Sequence, residues 1–167
     1  MSYPVPAASL DGTLALALAA LLPSLSAWTV LDIDYSAIHV GAWPDPDHLP
    51  NPLCALIRPP LLMCLLQARD TRRWSGSLGI ELHLPVPSDS THGEEAMACL
   101  AAVANLRDSL AQQTLGTSHR IDSVELKSFE RGEWTALNST QSEEEPTTVR
   151  VAGYRSELVI AIQSLGM

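Results

Sequence analysis

Positive charge is scarce in this chain. Ten lysines and arginines face 19 aspartates and glutamates, a net charge of -9 over 167 residues, which repels phosphate backbones and argues against sequence-nonspecific nucleic-acid binding. Charge of either sign is sparse as well. Charged residues make up 17% of the chain and hydrophobic residues 46%, against roughly 25% charged in ordinary soluble domains, so apolar surface is left over to meet a partner. The three cysteines, Cys54, Cys64 and Cys99, are odd in number and lack C-x-x-C spacing. Neither a disulfide framework nor a zinc site is indicated, and a reducing compartment is expected. Long apolar runs are missing too. Residues 14–22 imitate the core of a signal peptide, but Asp11 precedes them and no Lys or Arg does, so they are read as part of the mature chain. Neither this run nor residues 61–66 approaches the roughly 18 to 20 apolar residues that cross a bilayer.

Catalytic signatures are also absent. The sequence holds no G-x-S-x-G, G-x-x-x-x-G-K-[ST], H-E-x-x-H or G-x-G-x-x-G, the patterns that build a nucleophile elbow, a phosphate cradle, a zinc helix or a dinucleotide turn. Its histidines, His39, His48, His83, His92 and His119, are scattered along the chain, and no general base can be paired with an orienting partner. No enzyme and no cofactor are expected.

What is present is a pattern of alternating elements. Ser9 caps an expected helix whose apolar residues Leu10, Leu14, Leu18, Leu21 and Leu22 share one face, and Pro23 ends it. Residues 28–33 and 35–40, rich in β-branched and aromatic side chains, predict one or two short strands. Residues 43–52 carry Pro44, Pro46, Pro50 and Pro52, a composition that blocks helix and central strand and predicts an ordered loop or arm. A strand over 53–57 is stopped by Arg58-Pro59-Pro60 and followed by an extended connection, or a short helix, to Gln67. Leu78, Ile80, Leu82 and Leu84 then alternate in the clearest strand of the chain, 77–86. A long helix follows from about Ser88 to Leu115, capped by Ser88 or Asp89 and buried through Ala96, Leu100, Val103, Leu106 and Leu110, with Gly116 as its C-cap. Residues 121–129 form a strand, 130–133 a turn and 134–137 its antiparallel partner. Residues 138–146 form an exposed acidic loop, and 148–162 a closing strand in which Gly153 marks a bulge. The fold expected is one α+β domain over 1–167: a mixed, mainly antiparallel sheet flanked by an N-terminal helix and one long central helix.

Three sites stand out. Asp45, Asp47 and His48 bring two carboxylates and an imidazole onto a proline-stiffened loop, a metal-ligating set in one reading and a soluble turn in the other. Arg69, Arg72 and Arg73 present planar forks that match carboxylates, and Trp74 beside them is a large apolar anchor, a combination enriched at protein interfaces. Glu143, Glu144 and Glu145 supply the opposite charge. A basic loop and an acidic loop on one subunit are complementary head to tail, as ring assembly requires.

The order of elements resembles that of the tail terminator, or tail completion, proteins of long-tailed bacteriophages. The resemblance is carried by the N-terminal helix (Leu10 to Leu22), the short strand ending at Arg58-Pro59, and the arginine-containing loop. The strand Leu78 to Leu84, the helix Glu94 to Leu110 and the closing strand Leu158 to Ile162 follow in the same order. It spans about 8–162 and consists of pattern and length, with no diagnostic motif. The resemblance implies a structural virion protein, without catalysis, cofactor or membrane, at the head-proximal end of the tail. Its homohexameric ring would cap the tail tube, halt its growth and dock the neck or connector protein, with a sheath as a further partner, while DNA passes the lumen without specific binding. The interface residues would be Arg69, Arg72, Arg73, Trp74, Glu143, Glu144 and Glu145. Arm 43–52 and acidic loop 138–146 lengthen the chain beyond a minimal subunit of this type. Alternatives are a neck or stopper ring, or a small cytoplasmic metal- or ligand-binding domain using Asp45, Asp47 and His48.

Overall fold

The computed structural model describes residues 10–45, 47–67, 72–86, 92–116, 119–137 and 147–164, with side chains except at 10–12, 59–67, 72–74, 92 and 164. Six strands form one sheet: β1 Ile38–Val40, β2 Cys54–Gln67, β3 Arg72–Pro85, β4 Thr114–Leu115, β5 His119–Leu137 and β6 Thr148–Ser164. Their order is β1-β2-β3-β6-β5-β4, with β1 parallel to β2 and every other pair antiparallel. Among the described residues three α-helices accompany them: α1 Leu10–Leu21, α2 Ser26–Thr29 and α3 His92–Leu110. The α+β architecture anticipated from the sequence is the one observed.

The alternation of β3 does what a period of two requires. Leu78, Ile80, Leu82 and Leu84 are buried on one face beside Ile57 and Ala55 of β2 and Leu158, Ile160 and Ile162 of β6. Leu14, Leu18 and Leu22 from the α1 region and Val103, Leu106 and Leu110 from α3 join them in a single core. Each such side chain contributes about 1.5–3 kcal/mol by leaving water. Helices therefore cover one face of the sheet, and the opposite face is free to carry polar residues.

Several expectations are corrected. Residues 28–33 are not a strand: Leu25, Trp28 and Leu31 are buried at a spacing of three around α2, while Val30 points outward at 73% exposure. Only Ile38–Val40 becomes a strand there. Pro59 and Pro60 do not stop β2. The ladder steps from Arg58↔Gly79 to Leu61↔Ser77, so the prolines occupy a bulge, and β1 has already ended at Ile57 on the other side. Prolines are accepted where no ladder bond is asked of them. Residues 130–133 are no turn; β5 runs straight through with Glu130↔Arg155, Arg131↔Tyr154 and Gly132↔Gly153. Opposite charges across the ladder and an Arg150–Glu133 ion pair outweigh the weak strand propensity of Glu, Arg and Gly. The long helix ends at Leu110 rather than Leu115, because Leu115 turns back into the core as part of β4. Gly116, at φ +60°, follows that strand and is not a helix cap. The β5–β6 register does not slip at Gly153; its slips lie at Ile121/Ser123 and Leu126/Ser128. Ser9, the caps Ser88 and Asp89, and the acidic loop 138–146 lie outside the described residues.

Candidate interaction surfaces

The expected basic loop is largely strand. Arg72, Arg73 and Trp74 open β3, paired with Gln67, Leu66 and Cys64 of β2, while Arg69 lies outside the described residues, as do Glu143, Glu144 and Glu145. Register fixes where the flanking strands end. Ser75 pairs with Gln163 near the end of β6, so residues 72–74 and their β2 partners form a hairpin at one end of the sheet. Leu137 and Thr148, which flank the acidic segment, pair at the opposite end. The two charged connections therefore spring from opposite ends of one molecule.

The lateral edges of the sheet are unlike one another. From Arg58 to Gln67, β2 has β3 on one side and, among the described residues, no strand on the other. β5 meets β4 at His119 and Arg120 and a bridge from Leu49 at Ala136. Between those contacts it carries Asp122, Glu125, Lys127, Glu130, Arg131 and Glu133, charges of the kind that keep an edge from pairing.

Of the loop and the arm expected over residues 43–52, the structure has the loop. The Leu49 amide donates to the Thr135 carbonyl at 3.0 Å and Leu49 accepts from the Leu137 amide at 2.8 Å, while Trp134 Nε1 donates to the Pro52 carbonyl at 3.2 Å. The segment is sewn across the sheet face that the helices leave open, and it buries His83 to 3% exposure. Rings line up beneath it: His39 and Trp43 at 5.8 Å, Trp43 and His83 at 5.6 Å, His83 and Trp134 at 5.1 Å, the last two edge-on, as aromatic quadrupoles prefer. Within this loop Asp45 Oδ1 accepts from the Asp47 amide at 2.9 Å and Asp45 Oδ2 from His48 Nδ1 at 3.3 Å. These bonds hold its carboxyl below the ordinary range, the Asp47 amide most of all. Asp45 thus acts as the turn-forming residue of its own loop. Among the described residues no three His, Cys, Asp or Glu side chains converge as metal ligands.

Beyond the loop the same face is polar. Arg58 donates to Glu81 at 2.6 Å and to Glu157 at 3.2 Å, and His83 Nε2 donates to Glu81 Oε1 at 2.8 Å. The His83 bond, followed by Arg58, lowers the Glu81 carboxyl against the opposing effect of burial. Glu130, Arg155, Ser128 and Ser156 complete an open depression of about 210 Å³. Its charges come from four strands, so nothing in the linear sequence marks it. Half-exposed ion pairs of this sort contribute about 1 kcal/mol or less apiece.

No protein-family model and no curated protein matches this chain.

A second depression, about 290 Å³ and apolar, lies between α2 and α3 and is lined by Val30, Leu31, Leu53, Leu84, Ala98 and Cys99 among others. In the sequence the groove is signalled only by the small residues Ala98, Cys99 and Ala102 on one side of α3.

Acid sensitivity follows from two imidazoles, His119 buried and His39 half-buried. Burial lowers His39 and His119 below the ordinary 6.5, and His39 Nε2 meets no hydrogen-bond partner among the described residues. The unfolded chain therefore binds more protons than the folded one once pH drops below about 6.5, and stability falls as pH falls from there toward the folded values. Glu81 adds a further loss at lower pH. His39→Phe, which keeps a ring against Trp43, is expected to flatten urea-denaturation midpoints measured between pH 7 and pH 5; an unchanged slope would assign the sensitivity elsewhere.

Proposed function

We propose that this chain is a structural, self-assembling subunit of the phage tail terminator type, a ring that caps the tail tube, stops its elongation and joins it to the neck. The observation that carries the reading is an unfinished sheet. Among the described residues β2 from Arg58 to Gln67 has no neighbour on one side, and its sequence Leu61-Leu62-Met63-Cys64-Leu65-Leu66 is apolar at successive positions, as in strands covered on both faces. A two-stranded hairpin of this kind is marginal alone in water, and an open apolar edge is a template for another chain. Charged ends on opposite sides of the subunit suit a head-to-tail contact, which closes into a ring when the rotation permits. The order of helix, proline-interrupted strand, alternating strand, long helix and closing strand supports the more specific tail terminator reading.

Electron microscopy tests it. Purified chain added to tail tubes is expected to appear as a ring at the head-proximal tip, and tubes grown without it to run past their normal length. Rings found on the portal side instead would favour the neck or stopper reading, and tubes indifferent to the chain would refute both.

A further inference from the structure

We infer that the apolar groove between α2 and α3 is a docking site for a cationic amphipathic helix of a partner protein. The inference goes beyond the ring-subunit reading and does not depend on it. Shape comes first. Buried Leu31 and Leu84 form the floor of the groove, and exposed Val30 and Ala98 stand at its margin. At about 290 Å³ it falls just below the roughly 300–1,000 Å³ of small-molecule pockets, and its lining offers no polar side chain except the Cys99 thiol to orient a ligand. It has room for the few apolar side chains that one face of a helix presents together.

Charge decides which helix. Residues 1–57 and 74–106 hold five and four acidic residues and no Lys or Arg, and every residue lining the groove comes from these two stretches. The groove is where the cation-free parts of the chain meet. Glu94 and Glu95 lie one helical turn before Ala98 and Cys99, on the same side of α3, and Glu95 stands close enough to Cys99 to add to the rise that burial imposes on its thiol. Asp32, next to Leu31, is exposed on the other side. Across the ladder Leu84 pairs with Tyr154 and Tyr154 with Arg131, so the first basic residue in that row stands two strands from the floor. A cationic apolar helix is therefore attracted to the groove and drawn toward the start of α3, whereas an anionic helix of the same shape is repelled.

Peptide titration tests the assignment. The probes are a synthetic Leu/Lys amphipathic helix and a Leu/Glu helix with the same leucine positions, each titrated with the full chain and followed by fluorescence anisotropy. The Leu/Lys peptide is expected to bind more tightly by about tenfold, and to protect Cys99 from maleimide. Ala98→Gln with Val30→Ser leaves the net charge unchanged and alters two exposed positions, so circular dichroism should stay the same while Leu/Lys binding falls by about tenfold. Glu94→Lys with Glu95→Lys should turn the preference toward the Leu/Glu peptide. Leu/Lys binding that survives Ala98→Gln with Val30→Ser would be attraction to a net-acidic chain at large, and overturns the groove. Peptides bound equally, neither peptide bound, or Cys99 left reactive in the bound state overturn it too. Cys99 shielded by dimerisation of the chain alone, read by mass measurement, would seat a second copy there and overturn the partner.

Discussion

Gly153→Val is expected to leave no cooperatively folded protein, and Gly153→Ala to cost about 3 kcal/mol, the upper range of overpacking. A Cβ at this position would lie 2.1 Å from the Leu84 carbonyl oxygen, 2.7 Å from the far edge of the Trp134 ring and 2.8 Å from the Pro85 Cα. Two of these neighbours are backbone in the central ladder between β3 and β6, so neither can rotate away. The loss is large against total stabilities of about 5–15 kcal/mol. Gly79→Ala is the internal control, since its Cβ meets only the side chain of Arg58, at 3.6 Å. Urea denaturation of the two alanine variants decides the matter. Equal midpoints would show that the ladder at Gly153 yields, and that the glycine is there for another reason.

Trp134→Ala is expected to cost about 3–5 kcal/mol, the range for truncating a buried aromatic, and to loosen a segment far from it in sequence. Trp134 is buried, donates to the Pro52 carbonyl, meets His83 edge-on and lies over Gly153. It is the peg on which the proline-rich segment hangs. Limited proteolysis is expected to cut the variant within residues 41–53 before any other site, whereas the wild type resists there. Trp134→Phe keeps a ring but loses the bond to Pro52, and is expected to fall about 1 kcal/mol below the wild type. Loss of stability without loop cleavage would mean that Leu49 alone, through Thr135 and Leu137, holds the segment down.

Where hydrophobic period was strong, sequence and structure agree. Leu78 to Leu84 in β3, Leu14 and Leu18 in α1, Val103 to Leu110 in α3 and Leu158 to Ile162 in β6 all bury the face that their spacing implies. Disagreement arose wherever pairing supplied what propensity lacked. Pro59, Pro60 and Glu130 to Glu133 look like breaks in isolation, and only the neighbouring strand shows a bulge in one case and a continuous ladder in the other. Trp28 to Ile33 misled because aromatic and β-branched residues suggest strand, although Leu25, Trp28 and Leu31 already had helical spacing. The surfaces were least legible. Arg58, Glu81, His83 and Glu157 come from three strands, and the groove from two helices and two strand ends, so proximity there is a product of topology. Arginines 72 and 73 read as a loop in the sequence, and their backbone pairs in the β2–β3 ladder instead.

The rungs joining β2, β3, β6 and β5 all run across the strand axis, and the basic and acidic connections leave at the two ends of that axis. Tension applied from one end to the other therefore loads many rungs together in shear, whereas a sideways pull would open them one by one. The molecule is mechanically stiffest along the line that joins the two ends from which these connections leave.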